Sequence, residues 1–329
     1  MIVVDPREKG TALLTVLLLV AVMATVAATA LDRLGLATRL AGNARDSGQA
    51  RAWLASAELL ATTRIEDLRR AQPNKVTLAG NWLGVARTID LPDGTRVSAT
   101  LGDGGNCFNL NALTRELNRV VLAPRPEGRA EFEALMNALG FDAARATRIA
   151  AGAADYIDDD DVALPGGVEQ GGYPAGSRPA NRMMTDRSEL RAIPGVSAAE
   201  AKALERWTCA LPLVGRSPIN VNTLRTEEAP LLAMLYQGRL DVTRARAALA
   251  SRPAAGYDNG TALFQSLALA ATAAPDDALR QVAVKTDFFT LDATIIGRDA
   301  AAPSYGERAL IDASQTPARV LSRSWGDGS

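Results

Sequence analysis

Between Thr11 and Leu31 the chain carries no charged residue, and this run constrains everything that follows it. About 20 apolar residues rising ~1.5 Å each cross a ~30 Å hydrocarbon core. By length and polarity the run is a membrane-spanning helix, over about 11–31. The head before it ends in Arg7-Glu8-Lys9-Gly10, and Asp32 closes it. Arg7 and Lys9 favour a cytoplasmic N-terminus, so the remainder lies across the membrane. A secretory signal has a shorter apolar stretch with a small-residue cleavage site after it. Here the cleavage position that fits precedes the run, at Gly10–Thr11, and the helix stays on the mature chain. An uncleaved signal anchor is the alternative.

The 329 residues suffice for one large domain or two to three small ones. A net charge of −1 gives no whole-chain field toward nucleic acid or acidic lipid. The absence of histidine removes Ser-His-Asp and Cys-His catalysis and histidine metal sites, so the expectation is a protein that is not an enzyme. The two cysteines, Cys107 and Cys209, favour a disulfide in an oxidising compartment, with two buried free thiols as the alternative. A bridge would close a loop of about 100 residues, worth up to ~4.7 kcal/mol in the chain-entropy model.

No proline interrupts Thr11 to Ala71. After Leu31 the pattern becomes amphipathic, with Leu34, Leu40, Trp53, Leu54, Leu60, Ile65 and Leu68 among charged residues. One long helix over 11–71 is therefore expected, ended by Gln72-Pro73-Asn74. Asn81–Leu91 and Thr95–Leu101 flank Pro92-Asp93-Gly94 and predict a hairpin. Helical segments follow at Glu131–Leu139, Asp142–Tyr156, Ser188–Ile193, Ala198–Trp207, Glu227–Tyr236, Val242–Ala250 and Thr261–Ala271. Strands are expected at Val282–Lys285 and Phe288–Ile296, placed by composition beside the first hairpin. The polar tail 313–329 is expected to fray.

Three motifs stand out. Cys107-Phe108-Asn109-Leu110-Asn111-Ala112-Leu113 is answered by Cys209-Ala210-Leu211-Pro212 and Ile219-Asn220-Val221-Asn222-Thr223-Leu224. Asparagines cap helices and turns, so the physical reading is two turn-and-cap elements. The second is acidic: Asp155, Asp158-Asp159-Asp160-Asp161 and Glu169, in a loop ending near Tyr173. Adjacent carboxylates repel unless solvated or neutralised by a cation. Oxygen donors on a flexible loop suit calcium, although the spacing is not that of an EF-hand. Asp155, Asp158, Asp160 and Glu169 are the candidate ligands, with Asp186 and Glu189 weaker. The third, Ser188 to Ser197 around Pro194-Gly195, has the helix–hairpin–helix layout of a phosphate-binding DNA reader. It lacks a basic cluster, and its neighbour is acidic. A competence-type DNA-binding protein and a membrane-anchored metal-dependent enzyme remain as alternatives.

The basic head, the glycine and the retained apolar helix resemble a type IV prepilin leader. With the Asn motifs, they make nearly the whole chain resemble the general secretion pathway protein K family, the large minor pseudopilin of the type II secretion system. The fifth residue after the cut is Thr15, where most pilin-like proteins carry glutamate; lack of that glutamate is typical of this family. A lone intramembrane carboxylate costs about 2.5–3.5 kcal/mol and is kept where it has a partner, so Thr15 fits a subunit with none ahead of it.

The resemblance implies an α+β pilin-like fold with a long N-terminal transmembrane helix, a small antiparallel sheet and a large inserted SAM-like helical domain. The expected division is 1–10 leader, 11–71 helix, 72–112 first part of the body, 113–278 insert, 279–312 closing strands and 313–329 tail. It further implies calcium in the acidic loop, N-methylation after cleavage, and an inner-membrane, single-pass protein with its body in the periplasm. The implied role is priming or capping of the pseudopilus at its tip, for export of folded proteins across the outer membrane. The implied partners are the I- and J-type minor pseudopilins, the H type as a further candidate, the major pseudopilin, the prepilin peptidase and the inner-membrane secretion platform, with no nucleic acid.

Overall fold

A computed structural model describes residues 6–92, 94–118, 120–266, 268–296 and 305–327. The start of the expected leader, Met1–Asp5, and the centre of the expected hairpin turn, Asp93, lie outside these residues. Helix α1 spans Pro6–Ala71, and its stretch from Leu13 is long and apolar enough to cross a membrane. Its two halves differ sharply. Leu13, Leu17, Val26, Leu34 and Leu40 are all more than half exposed. From Ala50 onward, Ala50, Leu54, Ala57, Ala61, Ile65 and Leu68 recur every three or four residues and are buried. Burying a Leu or Ile contributes about 1.5–3 kcal/mol, so this stripe holds the lower half to the body. Pro73 stops the helix by disfavouring helical backbone at Gln72.

Strands β1 (Arg87–Asp90) and β2 (Arg96–Asp103) form the hairpin. The segment 81–86, expected as strand, instead turns through Gly80, Asn81 and Gly84, all at positive φ. These turns drive Trp82 into the core, 5.5 Å from the Phe289 ring.

The chain then leaves the sheet and enters the insert. In chain order this contains β3 (Phe108–Asn109), β4 (Thr114–Leu117), β5 (Val121–Pro124), α2 (Pro126–Ala138), α3 (Ala143–Ile157), α4 (Ala198–Leu204), β6 (Thr208–Cys209), β7 (Ile219–Asn220), α5 (Ala229–Met234), α6 (Val242–Ala250), α7 (Gly260–Phe264), α8 (Asp276–Gln281) and β8 (Val282–Ala283). Strands β9 (Phe288–Ile296), β10 (Tyr305–Asp312) and β11 (Arg319–Asp327) then complete an antiparallel sheet in the order β1-β2-β9-β10-β11. Phe289, Leu291, Ala293 and Ile295 alternate toward α1, and Ala309 and Ile311 join them. Asp103 pairs with Phe289, so the insert enters and leaves between neighbouring strands.

Several expectations are corrected. The polar tail is not frayed over 319–327: β11 pairs with β10 and is pinned to α1. Glu66 accepts from Ala318 N (2.8 Å), Glu58 from Arg323 (2.5 and 2.7 Å), and Arg51 lies over the Trp325 ring. Val282–Ala283 does not join the main sheet but pairs in parallel with β7. The helix expected over Thr261–Ala271 is confined to Gly260–Phe264. The insert also begins before residue 113 and ends after 278, because β3 and β8 pair within it.

The insert is built twice from one plan. The first unit opens with β3 and closes with β6; the second opens with β7 and closes with β8, both pairs parallel. In each, the first asparagine of an Asn-x-Asn accepts from the backbone N–H of the second: Asn109 from Asn111 (3.3 Å) and Asn220 from Asn222 (3.0 Å). The second asparagine then holds one distant peptide from both sides. Asn111 accepts from Met184 N (2.8 Å) and donates to Met184 O (2.9 Å); Asn222 accepts from Tyr257 N (2.7 Å) and donates to Tyr257 O (2.9 Å). One apolar core, including stacked Phe108 and Phe132, runs through both units.

Candidate functional site

The acidic loop starts where α3 ends. Asp142 caps the helix start by accepting from Arg145 N (3.0 Å), and Asp158 ends it with its N–H on Ala154 O (3.0 Å). The apolar stripe of α3 is buried through Ile157, so Asp155 and Asp158 are carried inward with it; both are fully buried. Glu169, 8% exposed, returns from the loop to meet them, and one carboxylate oxygen from each of the three lies within 4.8 Å of the others.

The four consecutive aspartates take different paths. Asp158 points into the cluster. Asp159 accepts from Leu122 N (2.6 Å) while its own N–H donates to Leu122 O (3.0 Å), fastening the loop to β5. Asp160 turns outward and accepts from Val162 N (2.8 Å), and Asp161 is exposed. Of the four candidate ligands, Asp155, Asp158 and Glu169 are thus brought together and Asp160 is not. The weaker candidates do structural work: Asp186 and Glu189 form a capping box on the 3₁₀ turn Arg187–Ala192, and Glu189 also accepts from Tyr156 Oη (3.0 Å).

Asp155 accepts from Leu164 N (3.2 Å), whereas both oxygens of Asp158 and both of Glu169 are buried with no hydrogen-bond partner among the described residues. Burial, then the neighbouring carboxylates, push Asp158 up to about 8 and Glu169 up to about 7; burial also raises Asp155. Full ionisation of the trio therefore opposes the fold unless a cation compensates it, and without one Asp158 stays largely protonated at neutral pH. The chemistry fits a hard cation, since every donor is a carboxylate oxygen. Two contributors escaped the sequence reading. Gly167 packs so close to the Asp155 carboxylate that a Cβ there would collide with it, and the buried Tyr173 hydroxyl has no hydrogen-bond partner among the described residues. Only the Gly/Pro-rich loop composition hinted at the first.

Cys107 and Cys209 are joined as a disulfide with a Cα–Cα distance of 5.8 Å. The Pro194-Gly195 hairpin is closed by the protein itself: Arg145 donates to the Gly195 carbonyl and pairs with Glu200 (2.5 and 2.7 Å), and Ser197 and Glu200 cap α4 reciprocally. The hairpin's arginine is already paired with a carboxylate of the protein, and nothing here favours DNA binding. Thr15 lies exposed on the apolar half of α1, which runs through the expected cut at Gly10–Thr11.

Comparison with known proteins follows the two-unit plan. A family model described as type II secretion system (T2SS), protein K, matches residues 106–213, and a second of the same description matches 219–285. The type II secretion system protein K of Pectobacterium carotovorum subsp. carotovorum is 30% identical over 324 residues, covering 97% of each chain. That of Klebsiella pneumoniae is 32% identical over 326 residues, again covering 97% of each. In structure the chain is similar to one in the crystallised GspK-GspI-GspJ complex of the enterotoxigenic Escherichia coli type 2 secretion system, with a TM-score of 0.73, 28% identity, and coverage of 86% of this chain and 98% of that one. With nearly full-length similarity joined to both units of the insert, this chain belongs to the type II secretion system protein K family.

Proposed function

We propose that this minor pseudopilin works at the tip of the pseudopilus, held in the inner membrane by α1 with its body in the periplasm. Its role is assembly, not catalysis. The observation that carries this reading is the division of α1. Its lower half is spent on the body, while its apolar half from Leu13 to Leu40 is bare. A bare apolar helix needs lipid or partner helices. The relative crystallised with GspI and GspJ supports I- and J-type partners, and the bulky insert supports a cap that hinders a subunit from adding above. The prepilin peptidase, secretion platform and major pseudopilin belong to the same reading. It is tested by intact-mass analysis of the N-terminus from native membranes and by co-isolation with the I- and J-type proteins. A mature chain beginning at N-methylated Thr11, carrying both partners, is expected. A chain still beginning at Met1 in peptidase-competent cells would discard it.

We further propose that Asp155, Asp158 and Glu169 hold calcium, for which the four unpartnered buried oxygens of Asp158 and Glu169 are the support. Bound there, the cation would offset the like charges and fix the loop against α3.

A further inference from the structure

We propose that the Cys107–Cys209 disulfide is an addressable clasp, opened by thiol exchange at Cys209 from a cleft between the sheet and the insert. Opening it frees the ring of chain that carries the acidic loop.

The cleft has a volume of about 640 Å³, and a second cavity of about 280 Å³ adjoins it. Both are lined by Gly104, Arg187, Cys209, Thr290 and Arg308, so Cys209 faces two open spaces. The two sulfurs differ in access. Cys209 is half-buried in β6, whereas Cys107 is 7% exposed, with its Sγ 3.3 Å from the Gly104 carbonyl. Exchange depends on which sulfur an incoming thiolate can reach; Cys107 also lines the larger cleft, but Cys209 is the less buried and is the one of the two that lines both spaces.

The walls suit the chemistry. Arg187 and Arg308 are partly neutralised, by Glu205 (3.5 Å) and Asp292 (2.5 Å). Arg206, also in the wall, lies over the Trp207 ring at 4.6 Å and has no carboxylate partner among the described residues. Asp103, Glu205, Glu228 and Asp292 line the same cleft, so Arg206 is the wall cation left to favour an incoming thiolate.

The atoms balance as follows. A thiolate attacks Cys209 Sγ, the Cys107–Cys209 bond breaks, and the electron pair goes to Cys107 Sγ, which takes a proton from water. The Gly104 carbonyl is placed to accept that S–H. A second thiolate attacks the mixed disulfide, leaving Cys209 as a thiolate and the two reagent sulfurs joined. The clasp gains two electrons and two thiols become one disulfide. The reverse, with a disulfide as oxidant, closes it. Closure does not depend on chance encounter, because Phe108 pairs with Thr208 and Asn109 with Cys209, and Phe108 N donates to Trp207 O (2.8 Å). The ring spans a sequence separation of 102 residues and includes Asp155, Asp158 and Glu169.

The test uses the oxidised full-length protein in detergent without denaturant. It is treated with reduced glutathione, quenched with iodoacetamide and peptide-mapped. Glutathione on Cys209 and alkylation on Cys107 are expected, with the Cys209 adduct at least about tenfold in excess. Glutathione chiefly on Cys107, or no exchange until denaturant is added, would overturn the proposal. Hydrogen exchange over residues 155–169, in metal-free buffer, reads the second step. Faster exchange after reduction and alkylation is expected, and an unchanged rate would refute the release of the loop. Neither readout needs a bound cation, so failure of the calcium assignment would leave this result standing.

Discussion

Replacing Asn111 with alanine tests the central device of the insert. The side chain is wholly buried, accepts from Met184 N (2.8 Å) and donates to Met184 O and Leu211 O (both 2.9 Å). Truncation leaves one buried donor and two buried acceptors unpaired, at about 1–3 kcal/mol each before water enters the cavity. With one site rehydrated, two unpaired groups remain and the expected loss is about 2–6 kcal/mol, a large part of the 5–15 kcal/mol that stabilises a typical domain. Asn222→Ala strands only the N–H and C=O of Tyr257, so with one of them rehydrated about 1–3 kcal/mol is expected. Asn259 caps α7 from the surface, accepting from Ala262 N (3.0 Å), and its alanine variant should cost about 1 kcal/mol. The assay is urea unfolding of the full chain in micelles, followed by tryptophan fluorescence. Since one core runs through both units, a single transition is expected. A loss of stability in Asn111→Ala within about 0.5 kcal/mol of zero, or no greater than the loss in Asn259→Ala, would refute the reasoning.

Three further outcomes follow from buried charge. Calcium should raise the melting midpoint of the parent and of Asp160→Asn but not of Asp158→Asn or Glu169→Gln; loss of the response in Asp160→Asn would show that the ligand set is wrong. Arg216 pairs with buried Glu131 (2.6 Å) and with Asp277 (2.8 Å), so Arg216→Ala should cost about 3–5 kcal/mol in urea unfolding. Glu307 sits buried on β10 beside the pinned strand, and burial, assisted by nearby Glu58, pushes it up to about 8 from an ordinary 4.5. A raised carboxylate sets no penalty below about 4.5, a growing one as pH rises toward about 8, and a constant one above that. Glu307→Gln should therefore flatten the loss of stability between pH 5 and about 8, and an unchanged pH profile would contradict it.

How much of this was legible depends on whether the signal is local. The stripe from Ala50 to Leu68 repeats every three or four residues, and the Phe288–Ile296 strand alternates, so both show in sequence. Strands β3, β6 and β7 have two residues each and leave no periodicity to detect, and β8, legible as a strand, gives no local sign that its parallel partner is the distant β7. The β4–β5 hairpin carried only a weak mark, Asn118 at positive φ. Strand β11 looked like a polar tail because its partners are Arg51, Glu58 and Glu66, far away on α1. In the acidic loop, residue types marked the site, but only the inward turn of Asp158 against the outward turn of Asp160 sorted ligand from neighbour.

The two units of the insert are tied differently to the rest of the chain. The second is sewn to the body: Asn220 donates to Val76 O (3.1 Å), Val76 N to Val284 O (2.8 Å), Lys75 pairs with Asp258 (2.7 Å), and Thr223 donates to Asp103 (2.5 Å). Such a unit cannot shift without breaking contacts to the sheet. The first unit carries the acidic loop and the disulfide, its Asn109 and Asn111 bonding to its own chain and the linker after it. A change there, whether a cation in the loop or a broken clasp, can be absorbed without disturbing the stripe that binds α1. In this arrangement the second unit is the fixed foot, and the first is where the proposed cation and the proposed clasp would act.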